Sequence, residues 1–179
     1  GFGLANFLVP MAFGTTGTEG IFFQRGQYWT SSYYLGLGAL WLTLLAVFCV
    51  RERRVRLLAA IAVVGLLCAL GGNTPFYPLL RKLVPQLSFI TYPVKFVMTV
   101  AFAAPLLAAF ALANFQKVQK HVFTAGSVLM AGIAVVIFET QHHTMPGDDS
   151  HAALLNGISR AAFLLLTGAV LFILTGKIR

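Results

Sequence analysis

Charge is scarce in this sequence, and negative charge is scarcest. Asp and Glu together number 5 against 13 Lys and Arg, and the four types make up 10% of 179 residues. A soluble domain carries about a quarter charged residues, so this composition, with 58% hydrophobic residues, excludes an ordinary soluble fold. The two cysteines, Cys49 and Cys68, fall inside apolar runs, where a thiol serves as a small apolar filler. His121, His142, His143 and His151 sit at or beyond the ends of those runs, which argues against haem or pigment binding. The runs also lack the paired acids of an ion-coupled carrier, which makes a transporter the weaker reading. No basic stretch precedes the first apolar residues, so the start does not have the form of an intact signal peptide. A chain opening at Gly1 reads instead as a fragment of a larger protein.

What the sequence does hold is five apolar blocks, at about 33–50, 55–72, 94–113, 122–138 and 161–176. Each is about 16 to 20 residues long, roughly what a helix needs to cross a bilayer core of about 30 Å. The expected fold is therefore all-α, a polytopic transmembrane helix bundle of about five spans. Gly, Ala, Ser and Thr occur in every block, so all five can pack closely in one bundle.

The cations alternate with these blocks. Arg51, Arg53, Arg54, Arg56, Lys117, Lys120, Lys177 and Arg179 fall on one face if the helices alternate, with Glu52 as the acid there. Arg25, Arg81, Lys82, Lys95 and Arg160 fall on the other, offset by Glu19, Glu139, Asp148 and Asp149. Lys and Arg in short loops mark the cytoplasmic side, so the Arg51–Arg56 turn is expected there, and the 73–93 and 139–160 loops outside. Basic clusters beside membrane spans, without a groove-sized polar domain, argue against a nucleic-acid partner. Membrane lipid is the expected partner.

Residues 1–32 form a separate glycine-rich and aromatic segment, expected to be extracytoplasmic or interfacial. Its Phe22, Phe23, Tyr28 and Trp29 lead with Tyr33 and Tyr34 into the first span as an aromatic belt. Gly71-Gly72-Asn73-Thr74-Pro75 is a strong stop after the second span. Pro78 to Val84 can then form a short amphipathic helix lying on the outer surface. Pro93 fits the first turn of the third span, and Pro105 inside that span is expected to kink it.

Three groups of side chains could carry chemistry. His142, His143, Asp148, Asp149 and His151 are types that bind zinc or manganese or transfer protons. Their spacing matches no defined motif, and a solvated polar loop is the plainer reading, so no cofactor is assigned and a divalent metal stays open. Arg81, Lys82 and Lys95, with Tyr77 and Tyr92 near them, could clamp the phosphate of a lipid-linked substrate at head-group level. The plainer alternative for them is anchoring to anionic lipid. Glu19, Gln24 and Arg25 form a weaker group, and Glu139 has a plausible structural partner in Arg160.

Three segments in order carry a resemblance: YYLGLGALWLTLLAV at the start of a span, LLCALGGNTPFYPLLRKLVPQL at a span exit and its loop, and TYPVKF before the next span. Together they resemble the bacterial YfhO-like membrane proteins, multi-spanning relatives of GT-C glycosyltransferases, over roughly Gln27 to Ala113. Gly36 matches the glycine at the span start, Ala69, Leu70 and Gly71 the span exit, and Pro93 and Lys95 the approach to the next helix. Thr91 or Tyr92 stands where the family pattern has the first of two basic residues.

The resemblance implies a bacterial inner-membrane enzyme that moves sugar from a polyprenyl-phosphate donor at the outer face. This segment would hold the donor lipid through Lys95, Arg81, Lys82 and Tyr92. The catalytic acid of such enzymes lies in the first outer loop, so the resemblance places it outside this chain, and no catalytic residue is assigned here. The alternative is a non-catalytic structural subunit bound to other membrane subunits.

Overall fold

The computed structural model describes residues 2–16, 22–24, 32–143 and 146–177. Glu19, Arg25, Tyr28, Trp29 and Arg179 of the sequence reading lie outside the described residues, as do the side chains of Gln24 and Lys177. The chain is almost entirely helical. It opens with a 3₁₀ segment, Phe2–Phe7, and a small antiparallel hairpin of β1 (Gly14–Thr16) and β2 (Phe22–Gln24), in which Thr15 pairs with Phe23. Then follow α1 (Leu37–Cys49), α2 (Arg53–Ala69), α3 (Phe76–Leu83), α4 (Val97–Ala113), the single turn α5 (Phe115–Val118), α6 (Val122–His142) and α7 (Ser150–Lys177).

Local chemistry explains where these helices begin. Gly36 takes φ +85°, outside the range most side chains adopt, and the Tyr34 hydroxyl accepts the free Leu37 N–H at 3.1 Å. α1 therefore starts four residues inside the expected block. α3 begins at Phe76, two residues before the expected Pro78. Pro78 is tolerated in its first turn because no helical hydrogen bond needs its missing N–H there.

α7 is the largest departure. It starts at Ser150, eleven residues before the expected fifth span. Asp149 lies just before it, its carboxylate accepting the Ala152 N–H at 2.9 Å, as an N-cap does. The polar stretch after Asp149 is thus helix and not loop.

Pro93–Ala113, Phe115–His142 and Ser150–Leu174 are each long and apolar enough to cross a membrane. Only 17% to 33% of each is buried within the chain, so most of their surface is apolar and outward-facing. That is the reverse of a water-soluble helix, and the protein is a helical membrane protein. α1 at 13 residues and α2 at 17 span about 20 and 25 Å, shorter than a typical bilayer core.

α1 and α2 both pack on α4, while α6 and α7 pack on each other. Gly65 of α2 sits so close to α4 that a side chain there would overlap Thr99. The Thr43 hydroxyl of α1 donates to the Ala104 carbonyl of α4 at 2.9 Å, beside Pro105. Trp41 joins the two groups: its indole N–H donates to the Val122 carbonyl at 3.0 Å, and the ring lies against Gly126 of α6 and Gly168 of α7. At one end Glu52 accepts a hydrogen bond from Asn114 at 3.1 Å, bringing the arginine turn to the α4–α5 junction. The opposite end holds residues 32–36, 70–96, 143 and 146–149, the loop end of the bundle.

The N-terminal segment belongs to the core. Val9 and Ala12 are buried, Leu8 lies against Gly132 of α6 and Val9 against Gly157 of α7. The Asp149 N–H donates to the Gly14 carbonyl at 3.0 Å, tying the hairpin to the start of α7.

Candidate functional site

At the loop end, residues 71–96 fold into a compact cap over α2 and α4. Gly71 turns the chain with φ +54°, and a Cβ there would stand 3.3 Å from the Pro93 ring. Backbone angle and the close Pro93 ring both favour glycine at this position. The Asn73 side chain donates to the Leu70 carbonyl at 3.1 Å, closing the end of α2.

Tyr77 organises the cap. It is 2% exposed, although it lies on a short surface helix. Its hydroxyl lies 3.2 Å from the Leu87 carbonyl and 3.4 Å from that of Ile90, within reach to donate to either. The ring meets Phe96 edge-on at 6.1 Å. This pins the 3₁₀ segment Pro85–Phe89 against α3.

The result is a cleft of ≈ 400 Å³ lined by Gly72, Tyr77, Pro78, Arg81, Lys82, Ser88 and Pro93. Arg81 lies over the Tyr77 ring at 5.9 Å. Arg81 and Lys82 are exposed at its rim, and no carboxylate of the described residues pairs with either. Leu83 and Phe89, at 72% and 89% exposure, stand outward on the same cap. Cations over an apolar fringe suit a head-group phosphate whose tail continues into the bilayer.

Of the four residues expected to bind, the structure brings Arg81 and Lys82 together in this cleft. Lys95 and Tyr92 pair with each other, ammonium over ring at 5.6 Å, in and just before the 3₁₀ turn Pro93–Phe96 that leads into α4. They do not line the cleft. Ser88 was not expected, and an isolated serine in a loop carries no signal of its place.

The His/Asp group is dispersed over separate tasks. Asp149 caps α7, and His142 stacks on Phe138 at 4.0 Å with its Nδ1 3.0 Å from the Phe138 carbonyl. His143 meets Glu139 at 2.9 Å. Among the described residues, no three His, Cys, Asp or Glu side chains gather in a metal-binding arrangement.

The expected Glu139–Arg160 pair does not form. His143, one helical turn along from Glu139, takes its carboxylate, while Arg160 lies inward with its guanidinium over the rings of Tyr34 at 4.7 Å and Phe163 at 5.7 Å. An arginine at the edge of an apolar block was the available signal for a second polar site. Comparison with known proteins finds no matching family model, no matching curated protein and no matching solved structure.

Proposed function

We propose that this chain is the donor-holding part of a GT-C-like membrane glycosyltransferase, its loop end facing the outside of a bacterial inner membrane. The cleft under Arg81 and Lys82 receives the phosphate of a polyprenyl-linked sugar, and the polyprenyl tail runs down the outward apolar helices. Lys95 and Tyr92 stand beside the cleft and contact the head group as it enters. The catalytic acid is supplied from outside this chain. The single observation that carries the reading is the built cleft: two cations without acid partners, on a buried tyrosine scaffold, above exposed Leu83 and Phe89.

The test is sugar transfer from a polyprenyl-phosphate donor by membranes containing the full-length protein. A double Arg81→Gln/Lys82→Gln variant should lose about tenfold in transfer or donor binding, the size expected for charge-assisted phosphate contacts. Lys95→Met should lose less. Unchanged transfer in both variants, with normal protein levels, rejects the assignment.

A second reading, a non-catalytic subunit of a larger membrane complex, has one observation in its favour. A groove of ≈ 430 Å³ opens beside Trp41, with Gly126, Ser127, Gly168 and Ala169 in its lining. Small residues of this kind allow a further transmembrane helix to approach closely. Stable co-purification with other membrane subunits, lost on Ser127→Leu, would favour that reading.

A further inference from the structure

The arginine end of the bundle holds more positive charge than its own contacts use. Arg51, Arg53, Arg54, Arg56, Lys117 and Lys120 stand there against one described acid, Glu52, which is bonded to Asn114. All six cations are exposed, and no described carboxylate pairs with any of them. Topology explains why such residues collect on one side of a membrane, and a basic loop is not by itself a site.

What sets this end apart is an apolar groove that opens at it. A cavity of ≈ 280 Å³ lies between α1 and α6, with Leu45, Phe48 and Cys49 from one helix and Thr124 and Val128 from the other. His121, immediately before α6, completes the lining at the arginine end. From His121 to Val128 the groove follows α6 for about 10 Å into the bilayer. Leu45 is 1% exposed and forms the floor, while Phe48 at 80% and Val128 at 62% stand outward as its lips.

Chain connectivity makes the mouth cationic on both sides. Arg51 follows Cys49 by two residues, and Lys120 directly precedes His121. Among the described residues the His121 imidazole has no hydrogen-bond or ion-pair partner.

The combination selects an occupant. A bare anion has no use for an apolar groove beyond the mouth. A further helix packs closely where its neighbours are small, as beside Trp41, whereas Phe48 and Val128 keep a helix backbone away. A flexible hydrocarbon chain passes between such side chains, and the cations complement an anionic head group. We infer that the groove between α1 and α6 holds one acyl chain of an anionic diacyl phospholipid, its phosphate among His121, Lys120 and Arg51. The imidazole N–H and the two cations donate to the phosphate oxygens. The site lies at the end opposite the Arg81 cleft and stands whether or not the glycosyltransferase reading holds.

Photolabelling of the full-length protein in phosphatidylcholine vesicles tests it. The probe is phosphatidylglycerol with a diazirine in its acyl chain, present as a minor component. Peptide mapping should place adducts on Phe48 and Val128, about tenfold more than with phosphatidylcholine carrying the same chain. Leu57 and Ile61 of α2 are the internal control, since they are exposed and follow the same arginines but do not line the groove. They should be labelled several-fold less by phosphatidylglycerol. An Arg51→Gln/Lys120→Gln/His121→Gln variant changes only exposed side chains and should bring the groove down to the level of α2. Equal labelling of the groove by phosphatidylcholine overturns the head-group contacts. Equal labelling of Leu57 by phosphatidylglycerol replaces the site with a diffuse attraction to the arginines, and full labelling of the triple variant rejects the named residues. No labelling by either lipid rejects the lipid in favour of a protein segment in the groove.

Discussion

The cations at the loop end of this bundle divide into two groups that face opposite physical problems. Arg81, Lys82 and Lys95 are exposed, so the aqueous layer satisfies them and their presence costs little. Arg160 is half-buried, its guanidinium against Tyr34 and Phe163 and its Nε buried with no hydrogen-bond partner. An exposed cation offers a binding site without requiring a ligand. A half-buried one is held by the rings it touches, which fixes its position.

The two groups also rest on different supports, which allows them to be separated. The Arg81 cleft is built within residues 71–96 around Tyr77, whereas the Arg160 corner is assembled from the N-terminal segment, the lead into α1, and α7. Trp41 is the tie between α1 and the α6–α7 pair. Trp41→Ala should therefore have the largest effect, about 3–5 kcal/mol of lost stability. Unfolding in detergent would show it. An unchanged midpoint would show that other contacts hold α1 to α6 and α7.

Tyr77→Phe should act on the other group. It removes a buried hydroxyl from two carbonyls, at a cost of about 1 kcal/mol, and frees the Pro85–Phe89 segment. Proteolysis of the 84–92 stretch should quicken and donor binding should weaken. An unchanged cleavage rate would show that the cap holds without the Tyr77 hydroxyl.

Salt should produce the smallest difference. Raising ionic strength from 0.1 to 1 M shortens the screening length from about 10 to about 3 Å. Anionic lipid held by Arg81 and Lys82 should weaken several-fold by a binding assay. Binding that ignores salt would mean that the exposed cap cations do not hold it.

Much of the fold was legible because bilayer thickness acts directly on composition. The apolar blocks at 94–113 and 122–138 correspond closely to α4 and α6, and Gly71 to Pro75 does mark the end of α2. Helix starts were less legible. The α1 start depends on a tyrosine hydroxyl reaching a backbone N–H, and the α7 start on a carboxylate cap, neither of which changes the hydropathy.

The candidate site divides in the same way. Arg81 and Lys82 are consecutive in the chain, so their proximity could be read along it. Ser88 joined them only through the folding of the cap, and Lys95 turned to Tyr92 instead.

By itself the sequence determined that this is a helical membrane protein, because few charges and long apolar runs permit no water-soluble alternative. It also determined that most cations gather near the ends of the apolar blocks, since charge is costly along a span. Only the tertiary structure decided which polar groups lack partners. Tyr34 and Arg160 are more than 120 residues apart, and the packing of the lead into α1 against α7 brings ring and guanidinium together. Hydropathy is a property of single segments, whereas such pairs exist only where segments meet.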